Sequence, residues 1–145
     1  MTTESRGREV VEGMLARDRF SAWLGIEVVA VEAGASTCRM TVREEMVNGF
    51  GVSHGGVVFS LADSAFAFAC NSYNFNTVAQ GCAIEFLAPA REGDLLTAHA
   101  SERSRSGRTG VYDIEVTNQD GAKIALFRGK SYRIKGHVVE PLAAD

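Results

Sequence analysis

Asp63 is the single charge in the run GVVFSLADSAFAFAC, residues 56–70, where every other side chain is small or apolar. An ionised carboxylate in such surroundings costs several kcal/mol unless it is paired, protonated or facing a site. An ion pair across an interface, or a cap on a second helix beginning near Ser64, would account for it structurally; work as a base would account for it chemically. Immediately upstream, Ser53-His54-Gly55-Gly56 leads into the run. Glycines at a helix start let a substrate oxygen approach backbone N–H groups that have no intrahelical partner, and that is how an oxyanion is held. An ordinary tight turn uses the same two glycines, so the pointer to acyl chemistry is their pairing with Asp63.

His54 is the rival base, because imidazole titrates near neutral pH. No GxSxG nucleophile setting accompanies it, and His99 and His137 fall in unrelated segments. The sequence therefore spells out neither a triad nor a metal cluster, and neither metal nor cofactor is expected. The work expected of His54 is to orient the Gly55-Gly56 turn by hydrogen bonding. Asn48, six residues earlier, either donates its amide N–H to a carbonyl or serves as the turn residue of Asn48-Gly49.

These residues need a frame. Residues 8–24 carry apolar side chains at helical spacing with an irregular end, which predicts a short amphipathic helix. Residues 26–31 and 35–42 have strand character around Glu32-Ala33-Gly34 and read as a hairpin; 44–54 reads as a loop. The run 56–70 is long enough for about four helical turns and too apolar for a surface helix, so it is buried. Residues 78–87, 94–102, 110–118 and 123–134 have strand character, with Gly93, Gly107 and Asp120-Gly121 as turns. The last eleven residues are expected to fray. Two strands, a long apolar helix and four more strands favour an α+β class with an antiparallel sheet wrapped around one buried helix. A doubly wound fold would need a helix after nearly every strand and a Gly-rich βα turn, and neither is present.

With 145 residues, 46% of them hydrophobic, the chain is expected to be one domain spanning 1–145, with an N-terminal helix and a short C-terminal tail. Fifteen basic against eighteen acidic residues leave a net charge of -3, which gives no electropositive field for nucleic acid. Cys38, Cys70 and Cys82 are odd in number, lack CxxC spacing and lie in apolar surroundings, so a reducing compartment is expected. The polar N-terminus does not resemble a signal peptide, and no run approaches the ~18 apolar residues of a membrane span. A cytoplasmic protein is the expectation.

The segments NGFGVSHGGVVFSLADSAFAFACNS, CAIEFLAPAREGD, RTGVYDIEV and ALFRGKSYRI together resemble the phenylacetyl-CoA thioesterase family known as PaaI, over nearly the whole chain. The resemblance implies a hotdog fold, hydrolysis of acyl-CoA with a preference for aryl-acetyl groups, no metal, and a tetramer built from dimers. It places Asp63 where the family's acidic residue activates water or attacks the thioester, and Gly56 where an oxyanion N–H is supplied. His54 and Gly55 complete the HGG motif, and Asn48 matches a polar residue near the thioester. Arg108 and Thr109, in the RTGVY motif, are expected to contact CoA. Arg103 and Arg105 read as a solvated face, and Arg128 and Lys130 as strand neighbours on one side. Phe66, Phe68 and Phe75 either shape an aryl pocket or belong to the core. Hotdog dehydratases are disfavoured because no proline follows in an HxxGxP-like setting, and a non-catalytic acyl-CoA sensor is the alternative from another class. Gly56 and Asp63 lie seven residues apart, ~10 Å along a helix, so one carbonyl can meet both only if two subunits share the site in a homodimer.

Overall fold

The computed structural model describes residues 2–143. Its elements run α1 (Thr3–Leu15), α2 (Arg19–Leu24), β1 (Glu27–Glu32), β2 (Ala35–Thr41), a 3₁₀ turn at Glu44–Met46, α3 (Gly55–Asn71), β3 (Phe75–Phe86), β4 (Leu95–Ser106), β5 (Thr109–Thr117) and β6 (Lys123–His137). The strands form one antiparallel sheet in the order β1-β2-β4-β5-β6-β3. The sheet curls around α3, which gives the hotdog arrangement.

Alternation along the strands explains how the helix is held. Leu96, Ala98 and Ala100 of β4, and Tyr112, Ile114 and Val116 of β5, point inward and are fully buried, as are Ser36, Cys38 and Met40 of β2. They meet Leu61, Ala62, Ala65, Phe66, Phe68 and Ala69 of α3. Small residues on both sides bring helix and sheet close. At Gly129 of β6 a β-carbon would lie 2.7 Å from the Phe66 ring, so only glycine fits under that phenyl group. Ser36 adds a buried hydrogen bond from its hydroxyl to the Ala65 carbonyl at 2.6 Å. Phe66 and Phe68 are thus core residues, and the aryl-pocket reading of them is set aside.

Two local expectations are corrected. The continuous helix over 8–24 is broken: the Asp18 carboxylate accepts from the Ser21 N–H at 2.9 Å and starts α2 as a separate helix, which Gly25 ends at φ 77°. Nor does the chain fray from residue 135. Asn74, fully buried and at φ 69°, clamps Val139, accepting from its N–H at 2.9 Å and donating to its carbonyl at 3.1 Å. Arg17 bonds the Val138 carbonyl at 3.2 Å. Residues 144 and 145 of the expected tail lie outside the described residues.

Strand β3 is one of the two edges of the sheet, β1 being the other: among the described residues it pairs with β6 along one side only, and its other edge closes no ladder. Exposed apolar side chains stand on and just beyond it: Val78 at 46%, Phe86 at 55% and Leu87 at 51%.

Candidate active site

The α3 N-terminus is built by its own cap. The His54 Nδ1 accepts the Gly56 N–H at 3.3 Å, as expected of a residue that orients the glycine turn. The bond is long, and it leaves the amide accessible to a stronger, anionic acceptor. At Gly55 a β-carbon would come 3.1 Å from the Phe86 ring, whereas at Gly56 it would make only an ordinary contact with His54. Beside this turn an apolar hollow of about 350 Å³ is lined by Val52, Gly55, Val58, Phe86, Leu87 and Pro89, among others.

Asn48 organises the preceding loop. Its side-chain oxygen accepts from the Phe50 and Val52 N–H groups at 2.9 and 3.4 Å. That is the turn role; its amide nitrogen has no partner among the described residues.

Asp63 is half-buried two turns further along α3 and has no hydrogen bond or ion pair among the described residues. Burial first, and then the Asp18 carboxylate, push its carboxyl above the ordinary range. A base with a raised pKa holds a proton more strongly once it has taken one from water. Gly56 and Asp63 share a helix face region but stand ~10 Å apart along the axis, and a single chain does not bring them to one carbonyl.

A second hollow, of about 320 Å³, opens beyond the C-terminal half of α3. Its walls include both expected CoA contacts, Arg108 and Thr109, together with Arg105, Arg133, Tyr73 and Phe75. The Arg105 guanidinium lies 3.5 Å from the centre of the Tyr73 ring, and that of Arg133 lies 3.6 Å from the centre of Phe75. Stacking fixes both planes while leaving donors at their edges. Tyr73 and Tyr112 each donate to Glu102, at 3.0 and 3.1 Å, and stiffen the floor. Arg105, read as solvated, is therefore part of a built wall. Tyr73 and Glu102 join the site without a signal in the sequence, and Arg133, although inside the ALFRGKSYRI segment, is marked by nothing in its spacing. Arg128 and Arg103 go elsewhere: on the outer sheet face Arg128 forms a two-pronged ion pair with Asp113 at 2.7 and 2.9 Å, with Arg103 at 3.5 Å from the same carboxylate.

A sheet-wrapped helix that carries a half-buried carboxylate and opens on a capped glycine turn defines the hotdog class of thioester-handling proteins. Comparison with known proteins makes this specific. The Thioesterase superfamily matches residues 50–125. The acyl-coenzyme A thioesterase PaaI of Escherichia coli is 48% identical over 125 residues, covering 86% of this chain and 89% of that protein. The solved structure of E. coli PaaI, from the phenylacetic acid degradation operon, superposes with a TM-score of 0.93 at 44% identity, over 94% of this chain and 99% of that one. Streptococcus mutans smu.793, solved bound to acetyl CoA, has a TM-score of 0.75 at 25% identity and covers 77% of this chain and 90% of its own. The chain belongs to the thioesterase superfamily, and its enzyme class is that of the thioester hydrolases.

Proposed function

We propose that the protein hydrolyses aryl-acetyl-CoA thioesters to the free acid and CoA, at a site shared by two copies of the chain in a homodimer. The observation that carries this is Asp63: a half-buried carboxylate without hydrogen bond or ion pair among the described residues, pushed up by burial, on the same helix as a glycine N–H held only by a long bond. Asp63 takes a proton from water, whose oxygen attacks the thioester carbonyl carbon. The resulting oxyanion accepts from Gly56 N–H of the second copy, with the α3 dipole behind it. Collapse breaks the C–S bond, and CoA leaves as thiolate and recovers the proton from Asp63. Direct attack by the Asp63 carboxylate, followed by hydrolysis of the anhydride, uses the same groups.

The open edge of β3 and its exposed Val78 and Phe86 support pairing with a second β3, which would set the two α3 helices antiparallel. Two such dimers make the tetramer implied by the family. Arg108 and Thr109, with Arg105 and Arg133, supply donors for the CoA phosphates, and the apolar hollow beside Gly55 has the scale of an aryl group. The aryl-acetyl preference is taken from the E. coli relative's operon. Three free cysteines among the described residues agree with a reducing, cytoplasmic setting. No helix of the described residues is long and apolar enough to cross a membrane.

The test is a panel of aryl-acetyl-CoA and straight-chain acyl-CoA substrates, with free thiol as the readout, run on the parent and Asp63→Asn. Fastest release from aryl-acetyl-CoA, lowered at least ~100-fold in Asp63→Asn, is expected. Binding without thiol release across the panel would support a sensor and sink the enzyme reading.

A further inference from the structure

The break between α1 and α2 ties a second carboxylate, Asp18, to the helix that carries Asp63. Asp18 accepts from the Ser21 N–H at 2.9 Å, and its other oxygen accepts from the Ser21 hydroxyl at 2.6 Å. That hydroxyl, on a fully buried residue, lies 3.1 Å from the hydroxyl of Ser64, the residue after Asp63 on α3. The shorter, charge-assisted bond commits the Ser21 proton to Asp18, so Ser64 donates to Ser21. Asp18, Ser21 and Ser64 thus form an oriented chain that ties the head of α2 to the helix carrying Asp63. A six-residue helix has too few internal bonds to hold itself, and its place depends on such ties.

The titratable groups that interact with Asp63 are Asp18 on α2, Cys70 further along α3 and Cys82 on β3. Burial pushes the Cys70 thiol up to about 12 and raises Cys82 as well, so both are neutral at working pH. Among the described residues, Asp18 is therefore the charged neighbour. Capping alone does not require that charge, since serine, threonine or asparagine caps a helix comparably.

We propose that Asp18 is a positioning residue for thioester hydrolysis: by capping α2 and bonding through Ser21 to Ser64, it holds a second carboxylate at the helix position next to Asp63. Like charges disfavour ionisation of each other, so the neighbour makes Asp63 a stronger base than burial alone would. The inference rests on the reading of Asp63 as the base.

The test is the pH profile of kcat/KM for phenylacetyl-CoA hydrolysis by the full chain, comparing the parent with Asp18→Asn, and with Asp18→Ser as a second capping residue without charge. Each profile is scaled to its own plateau, and melting is recorded alongside. In Asp18→Asn the acid limb is expected to move to lower pH by about half a unit or more, the scale of two carboxylates interacting near a surface. At a fixed pH on that limb, scaled kcat/KM then rises about threefold. A loss of packing would lower the melting temperature without moving the limb. Folded Asp18→Asn or Asp18→Ser with an unmoved or upward-shifted limb overturns the proposal. Asp63→Asn is assayed in parallel to separate the two ideas. If it is inactive while the Asp18 variants leave the limb in place, only this inference fails; if it retains activity, the base assignment fails and this inference with it.

Discussion

The shared site can be tested by breaking each half in a different subunit. Gly56 and Asp63 are seven residues apart on α3, hence ~10 Å along the axis, while an oxyanion donor must lie near ~3 Å from its oxygen. Gly56→Pro removes the N–H at the second position of the helix. A side chain has room there, and no intrahelical carbonyl is waiting for that amide. Asp63→Ala removes the base and leaves the turn intact. If the site takes Gly56 from one chain and Asp63 from the other, a mixed dimer has one site with both lesions and one with neither. Equal, random pairing makes about half of the dimers mixed, each with one of two sites intact, so about a quarter of parental activity returns. The assay is thiol release by differently tagged, co-expressed chains, purified through both tags, after each parent variant has been shown to fold. Doubly purified mixed dimers should reach about half of parental activity. No recovery in verified mixed dimers would place both groups in one chain and refute the argument from helix length.

Asp63→Asn should melt higher than the parent as well as losing activity. Because burial and Asp18 raise the folded-state pKa of Asp63, its contribution favours folding at low pH and is lost as pH rises through the unfolded and then the folded value, so the melting gap should widen as pH rises above the ordinary carboxylate range. For the same reason, kcat/KM should fall on acidification at a pH above the ordinary carboxylate range. Gly129→Ala drives a methyl group to 2.7 Å from the Phe66 ring and should cost about 1–3 kcal/mol in denaturant unfolding, the range of an overpacked core. Arg108→Ala and Arg133→Ala should each raise KM for the CoA thioester about tenfold, an effect that shrinks with added salt, yet leave KM unchanged for the pantetheine thioester, which lacks the nucleotide. Equal losses on both substrates would remove the phosphate role.

What could be read from the sequence was local. The HGG turn, the apolar helix and its lone Asp63 lie within a short continuous stretch, so composition and helix geometry marked them as candidates, and the family resemblance supplied the roles expected of them. Strand periods and the turns at Gly93, Gly107 and Gly121 pointed to an antiparallel sheet around one helix but not to the order of its strands, because alternation does not say which strands pair. The hollow lined by Arg108 and Thr109 was half legible. Those two sit in a recognisable motif, but Arg133 and Tyr73 reach them from β6 and from just beyond α3, and contacts of that range leave no mark on spacing. The Asn74 clamp on Val139 spans 65 residues and is silent in the sequence for the same reason. The break at Asp18 is different, since an aspartate placed within an apolar periodicity is an N-cap signal carried by the residue order alone.

Strand β3 joins these levels. Its residues have strand composition, and yet most of them are exposed on both faces, with apolar side chains at Val78 and Phe86. A strand that gains so little burial in its own chain is stabilised by β6 on one side only and invites pairing on the other. Two features have no use in a single chain, an open apolar edge and a proposed base and oxyanion donor two turns apart, and one arrangement would serve both. A second copy across β3, as proposed above, would bury the edge and, with the helices set antiparallel, would bring the glycine turn of one chain toward the carboxylate of the other.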